Sequence, residues 1–169
     1  MAVPKKITNF LEKGNIKYET IEHKTVYTAY DKAATLKVHP KEIAKTLVVK
    51  LDRNVAFVVI PGNKNLDKMK IKKEVNKQRK KEGLKAVKKI SFATERWMKN
   101  NLKGVKIGST PIFGNIWKMP TYIDRGLMKN KKIIVPSGDY KVSFKISPTK
   151  IKKAISDLVI TSLSKPKKK

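Results

Sequence analysis

The sequence predicts a mixed α/β domain built around a mixed sheet, and three observations carry that prediction. Two apolar runs, TLVVKLD (46–52) and VAFVVIP (55–61), flank the polar turn Asp52-Arg53-Asn54, the pattern of a β-hairpin. Segments with apolar residues at helical spacing are interspersed among short strand-like runs, so helices and strands intermingle along the chain. The chain has 169 residues, 40% of them hydrophobic, enough for one core and too few for two ordinary domains.

Ile7, Phe10 and Leu11 share one face of a first helix that Gly14 stops. KYETIEH (17–23) alternates as a short strand. Thr28 caps a second helix, in which Tyr30, Ala33 and Ala34 share a face and Asp31 lies three residues past the cap. Pro40 opens a short helical turn ending near Lys45. In the hairpin, VAFVVI is apolar without alternation, which predicts burial on both faces. PGNKNLD (61–67) is a turn with helix-capping residues. The segment 66–82 reads as a helix with Leu66, Met69 and Val75 inward and lysines outward. SFATERWMKNNL (91–102) reads as a further helix capped by Ser91, and the Gly- and Pro-rich 107–120 breaks all periodicity. TYID (121–124), KIIVPS (132–137) and KVSFKI (141–146) read as strands. Ser147-Pro148 starts a last helix, cap followed by proline, with Ile151, Ala154, Ile155 and Leu158 at helical spacing. The domain is assigned to 1–163 and the closing 164–169 to a basic, disordered tail.

Composition excludes several chemistries. Without cysteine there is no disulfide framework and no thiolate nucleophile or ligand. The two histidines, His23 and His39, are too few for a histidine-rich metal site and read as surface residues, so neither metal nor cofactor is expected. The start, MAVPKKITNFLEKG, lacks the apolar run of a signal peptide, and no stretch approaches the roughly 20 apolar residues of a membrane span. The expectation is a soluble cytoplasmic protein. The formal net charge of +28 attracts polyanions, nucleic acid first among them. The excess is almost all lysine and runs along the whole chain, with arginine only at Arg53, Arg79, Arg96 and Arg125.

No GxSxG, Walker loop, dinucleotide glycine signature or HExxH occurs. Three features remain: Lys45-Thr46 at the entry of the hairpin, Pro61-Gly62-Asn63 at its exit, and Gly108-Ser109-Thr110-Pro111 before Phe113-Gly114. Singly, each reads as a snorkelling lysine, an ordinary turn or a rigid connector. Together they put exposed backbone donors and one cation at the ends of apolar strands, the makings of a site for a small polar ligand.

The ordered set KTL, VVIPGNKNLD, GSTPIFG, PTYID and SGDYKVSFKISP resembles the YbaK/ProX family of aminoacyl-tRNA deacylases, relatives of the editing domain of bacterial prolyl-tRNA synthetases. The resemblance runs from about Tyr18 to about Ala154. It implies a central barrel-like mixed sheet surrounded by helices, and hydrolysis of the ester joining a wrong amino acid to the terminal adenosine of a tRNA. On it, the family's lysine corresponds to Lys45 and its loop to the segment ending at Pro111. Its glycine turn corresponds to Gly62 and its late glycine loop to Ser137-Gly138. The implied catalytic set is Lys45 with Gly108, Ser109, Thr110 and Pro111, and backbone N–H groups around Gly108 to Thr110 serve as oxyanion donors. The implied substrate-binding set is Tyr30, Thr46, Gly62, Asn63, Ser137 and Gly138. Two departures stand out. The family's glycine four residues before the loop proline falls on Ile107, with glycine one later. The cysteine-specific branch carries a tyrosine and an aspartate where Ile21 and Ser143 stand here.

The expected partners are the acceptor end of a mischarged tRNA and an aminoacyl-tRNA synthetase, with no membrane. The leading expectation is a free-standing trans-editing deacylase serving translation fidelity. The alternative is a non-catalytic tRNA- or RNA-binding module of the same fold.

Overall fold

Asp52 turns the hairpin at φ +58, and its carboxylate accepts hydrogen bonds from the N–H groups of Lys88 (3.0 Å) and Lys89 (2.8 Å). The computed structural model describes residues 3–167; the last two residues of the expected tail, Lys168 and Lys169, lie outside the described residues. In chain order the elements are α1 (Lys5–Lys13), β1 (Glu19–Glu22), α2 (Ala29–Leu36), β2 (Ala44–Leu51), β3 (Asn54–Pro61), β4 (Lys64–Leu66), α3 (Lys68–Lys81), β5 (Ile90–Phe92), α4 (Glu95–Asn101), β6 (Thr121–Asp124), β7 (Ile133–Pro136), β8 (Val142–Ile146), α5 (Pro148–Ala154), β9 (Val159–Thr161) and β10 (Ser164–Pro166).

The hairpin pairs β2 with β3 from Ala44↔Pro61 to Leu51↔Asn54 and sits inside a five-stranded sheet of order β5-β2-β3-β6-β9. Its β3–β6 and β6–β9 pairs are parallel and the others antiparallel, so the sheet is mixed as expected. Three antiparallel strands, β1-β8-β7, form a second sheet, and β10 pairs with β4. The barrel-like closure implied by the resemblance does not form. Among the described residues β5 and β9 each pair on one side only, and the backbone pairing that links the two larger sheets is a single parallel bridge, Ile43↔Ile134.

The central strand β3 is buried on both faces, as its unbroken apolar run predicts. Val59 packs with Ile7 and Leu11 of α1, Phe113, and Phe144 of the second sheet. Ala56, Val58 and Ile60 face the other way, onto Ile71 and Val75 of α3. Both sides of the hairpin are thereby fixed, leaving its open end, where Lys45 and Gly62 stand, as the place where side chains can reach solvent.

Three local expectations are corrected. Ser91 does not cap a helix: it lies in β5 opposite Lys50, and α4 starts after Thr94, whose Oγ1 accepts from Trp97 N–H at 3.0 Å. Met69 is 73% exposed, because Ile71 and Val75, four apart, set the buried stripe of α3 and Met69 falls off it. The chain end is not a free tail from 164. Asp124 is buried and accepts from Gly126 N–H (2.8 Å), Leu163 N–H (2.9 Å) and Ser164 Oγ (2.9 Å), which draws Ser164–Pro166 into pairing with Lys64–Leu66. Among the described residues, no helix is long and apolar enough to cross a membrane.

Candidate functional site

At the open end of the hairpin, Lys45 stands opposite Ile60, half-buried, and its Nζ donates to the Lys64 carbonyl at 3.2 Å. Burial, and next the nearby Lys167 ammonium, lower the Lys45 pKa from the ordinary lysine value. Thr46 follows it, and its buried Oγ1 has no hydrogen-bond partner among the described residues.

Gly62 closes the strand exit. A Cβ there would meet the Ala29 Cβ at 2.6 Å and the Pro40 carbonyl at 3.1 Å, so α2 lies against the hairpin only because residue 62 is glycine. Its N–H is committed to the Ile43 carbonyl at 2.8 Å, which makes Gly62 a wall rather than a donor. Helix α2 is capped by Thr28, whose Oγ1 accepts from Asp31 N–H at 3.0 Å. The helix presents Lys32, and burial lowers the Lys32 pKa to about 8.

Opposite the hairpin, the loop carrying Gly108 is laced to the turn after β7. Lys106 Nζ pairs with Asp139 Oδ1 at 2.6 Å, and Lys106 N–H donates to the Gly138 carbonyl at 2.9 Å. Ser109 Oγ donates to the Asp139 carbonyl at 3.0 Å, and the Tyr140 hydroxyl donates to the Ile107 carbonyl at 2.5 Å. The bound Lys106 ammonium holds the Asp139 carboxyl below the usual carboxylate range. Gly108 adopts φ +87, so the glycine that is displaced by one from the family spacing sits where the backbone needs it. Ser109 N–H is taken by the Lys106 carbonyl at 3.0 Å, whereas Gly108 N–H has no partner among the described residues.

Hairpin, α2 and loop enclose a cavity of about 460 Å³. Of the residues expected from the sequence, Tyr30, Lys45, Thr46, Gly62, Gly108 and Ser109 line it. Thr110 and Pro111 are buried behind it, leading into the core residues Ile112 and Phe113. Asn63 lies outside the lining. Ser137 is fully buried, with its Oγ donating to the Val142 carbonyl at 2.6 Å, and with Gly138 it shapes the turn that carries Asp139 and Tyr140 to the cavity. His23 and His39 are also elsewhere: His23 Nε2 meets Ser143 Oγ at 2.9 Å, and His39 Nδ1 accepts from Lys41 N–H at 3.1 Å.

The sequence reading missed Lys32, Asp139, Tyr140 and Lys167, all of which line the cavity. One signal existed for Lys32: it stands three residues after Ala29 and beside Ala33, on the inward side of α2. Lys167 enters through the pairing of β10, with its Nζ 4.4 Å from the Tyr30 ring centroid. Three ammonium groups and one already-paired carboxylate make a cavity for an anionic ligand, with one backbone donor in the wall.

The sequence model of the aminoacyl-tRNA editing domain matches residues 23–154, more than half of the chain. No curated protein matches the sequence. Among solved structures, the fold is similar to the hypothetical protein APE2540, with TM-score 0.78 and 23% identity over 95% of this chain and 99% of that one. It is also similar to a candidate trans-editing enzyme for prolyl tRNA synthetase, with TM-score 0.79 and 19% identity over 95% of this chain and 96% of that one. At those identities the likeness is one of fold. The matched segment contains the hairpin, α2 and both laced loops, and so every lining residue named above except Lys167. The chain belongs to the aminoacyl-tRNA editing domain family.

Proposed function

We propose that the protein is a free-standing deacylase that hydrolyses the ester of mischarged aminoacyl-tRNA in the cytoplasm. The observation that carries this reading is the convergence of Lys45, Lys32 and the unpartnered Gly108 N–H on one cavity at the hairpin mouth. Its volume of about 460 Å³ falls within the range typical of small-ligand sites, the size needed for an amino acid on a terminal adenosine. The likeness to a candidate trans-editing enzyme for prolyl tRNA synthetase supports the trans-acting form, with a synthetase as the source of the error.

In this reading the ester is already activated and the protein's task is placement. Lys45 grips a phosphate or ribose oxygen of the terminal nucleotide. Thr46 Oγ1 supplies a hydrogen bond to the substrate, and Tyr30 forms a wall. Water adds to the ester carbonyl, the oxyanion accepts from Gly108 N–H, and the bond to the ribose oxygen breaks. The ribose regains its hydroxyl and the amino acid leaves. Ser109, Thr110 and Pro111 hold that loop, while Asn63, Ser137 and Gly138 act as positioning residues behind the lining.

Asp139 is a poor base because it is bonded to Lys106 and held ionised. Lys32, at about 8, is a neutral amine in roughly a tenth of molecules at pH 7 and takes the proton of the water. A second pocket of this kind serves editing because synthetase sites separate amino acids one methylene apart by only about 10- to 200-fold.

The test is incubation of the purified protein with a panel of mischarged tRNAs, following loss of the ester. Loss above the spontaneous rate on at least one tRNA is expected. Binding without hydrolysis across the panel would overturn the deacylase reading in favour of a non-catalytic tRNA-binding module.

A further inference from the structure

The cavity does not end at Lys45. A second depression of about 560 Å³ shares Lys45 and Leu47 with it and continues past Lys68, Met69, Phe92 and Lys165. A third, of about 410 Å³, shares Met69 with the second and runs along Lys70, Lys72, Lys73 and Asn76 of α3. The three form one track from the hairpin mouth, over the edge strand β5, onto the first two turns of α3. We infer that this track is the seat of the single-stranded 3′ end of the tRNA as it leaves the cavity. The inference rests on the reading that the cavity holds the aminoacyl ester.

Two independent features point to single-stranded nucleic acid. Five large apolar side chains are exposed among the described residues, and four of them lie on the track: Tyr27 (67%), Tyr30 (47%), Met69 (73%) and Phe92 (49%). Tyr27 meets only the edge of Tyr140, at 4.9 Å between ring centroids, and unpaired bases stack on exposed surfaces of this kind. The second feature is charge. Lys68 Nζ stands 5.0 Å from the Phe92 ring centroid, and Lys167 Nζ stands 4.4 Å from that of Tyr30. Each of these platforms therefore carries its own ammonium for a phosphate. The one carboxylate lining the second depression, Asp67, is turned onto the start of α3, where its Oδ1 accepts from Met69 N–H (3.0 Å) and Lys70 N–H (3.3 Å). Lys70 is likewise occupied, donating to Ser164 O at 2.8 Å, so the cations open to a phosphate are chiefly Lys68, Lys72 and Lys73.

A lipid surface fits less well, because the apolar stripe of α3, Ile71 and Val75, is already buried in the core. A separate groove of about 560 Å³ at the far end of the hairpin, holding Arg53 and Arg79, shares no lining residue with the cavity and serves as a control.

The experiment is fluorescence anisotropy with an uncharged single-stranded RNA oligonucleotide ending in CCA, titrated at several salt concentrations. Phe92→Ala should weaken binding by roughly 5- to 150-fold, the range for losing one base–aromatic stack. The double variant Lys68→Ala/Lys73→Ala should flatten the log–log salt slope by about 1.4. Arg53→Ala should change neither. Because the probe carries no ester, a protein that fails to hydrolyse any aminoacyl-tRNA overturns the deacylase reading while the groove is still read directly. Wild-type affinity in the Phe92→Ala protein, or an equal loss in Arg53→Ala, would overturn the track.

Discussion

Lys106 and Asp139 meet at 2.6 Å, and this pair ties the Gly108 loop to the turn after β7. The carboxylate is 5% exposed and the ammonium 44%, so the pair is a lock set at the rim of the cavity rather than a surface ornament.

Asp139→Asn should cost about 1–2 kcal/mol, since it weakens a charge-assisted hydrogen bond while one partner stays solvated. The sign with pH follows from the lowered carboxyl pKa. The contribution is present above the unfolded value near 3.8 and is lost as pH falls through the still lower folded value. Thermal melts of both proteins should therefore differ at pH 7, and the difference should shrink progressively as pH falls below about 3.8. The variant should also deacylate more slowly, because the loop bearing the Gly108 N–H loses its tether.

Lys32 has the opposite sign. Its folded pKa of about 8 lies below the ordinary 10.5, so the unfolded chain holds the proton more tightly. Stability should rise as pH climbs from 8 to 10.5, by up to about 3 kcal/mol. Lys32→Met should abolish that rise, melt higher than the wild type at pH 7 and hydrolyse more slowly. A melting profile that is flat across this window in the wild type would remove Lys32 from the buried set.

Lys167 lies outside the segment matched by the family yet inside the cavity. Lys167→Ala should raise the Lys45 pKa towards its ordinary value, because the neighbouring ammonium helps depress it. Single-turnover hydrolysis should slow several-fold with folding unchanged. An unaltered rate across pH would show that the chain end closes the cavity without taking part.

Binding to tRNA should fall steeply with salt, by about 0.7 to 0.9 in log affinity per log unit of salt for each neutralised phosphate. The net charge of +28 motivates this, and anisotropy with uncharged tRNA checks it.

The parts of this molecule legible in the sequence were those set by neighbours in the chain. The hairpin was plain because Asp52-Arg53-Asn54 breaks two apolar runs, and the burial of β3 because VAFVVI has no polar alternate. Thr28 and Ser147 were plain caps. What stayed hidden was long-range. Ser91 competes for a helix with Thr94 and loses because Ile90–Phe92 completes the edge of a sheet that starts some forty residues earlier. The tail becomes a strand because Asp124, about forty residues upstream, accepts from Leu163 and Ser164. The cavity was half-legible for the same reason. Lys45, Thr46 and Gly62 announce themselves at strand ends, whereas Asp139, Tyr140 and Lys167 are brought in by tertiary pairing; Lys32 had only its place beside Ala33 to mark it, and in a chain so rich in lysine Lys167 had nothing local.

The measurement that tests the account most directly is single-turnover hydrolysis of a cleavable mischarged tRNA by Lys45→Ala, with circular dichroism to confirm the fold. Lys45 fixes the ester at the mouth of the hairpin, and losing such placement costs on the order of 100-fold. The rate should drop by that factor while tRNA affinity barely moves, one charge being lost among many. Lys45→Arg should rescue poorly, since a planar guanidinium cannot occupy the point that reaches the Lys64 carbonyl. Lys50→Ala, five residues further along β2, should match the wild type. A folded Lys45→Ala protein that hydrolyses at the wild-type rate would contradict the account and leave Lys45 a lysine that merely snorkels at a strand edge.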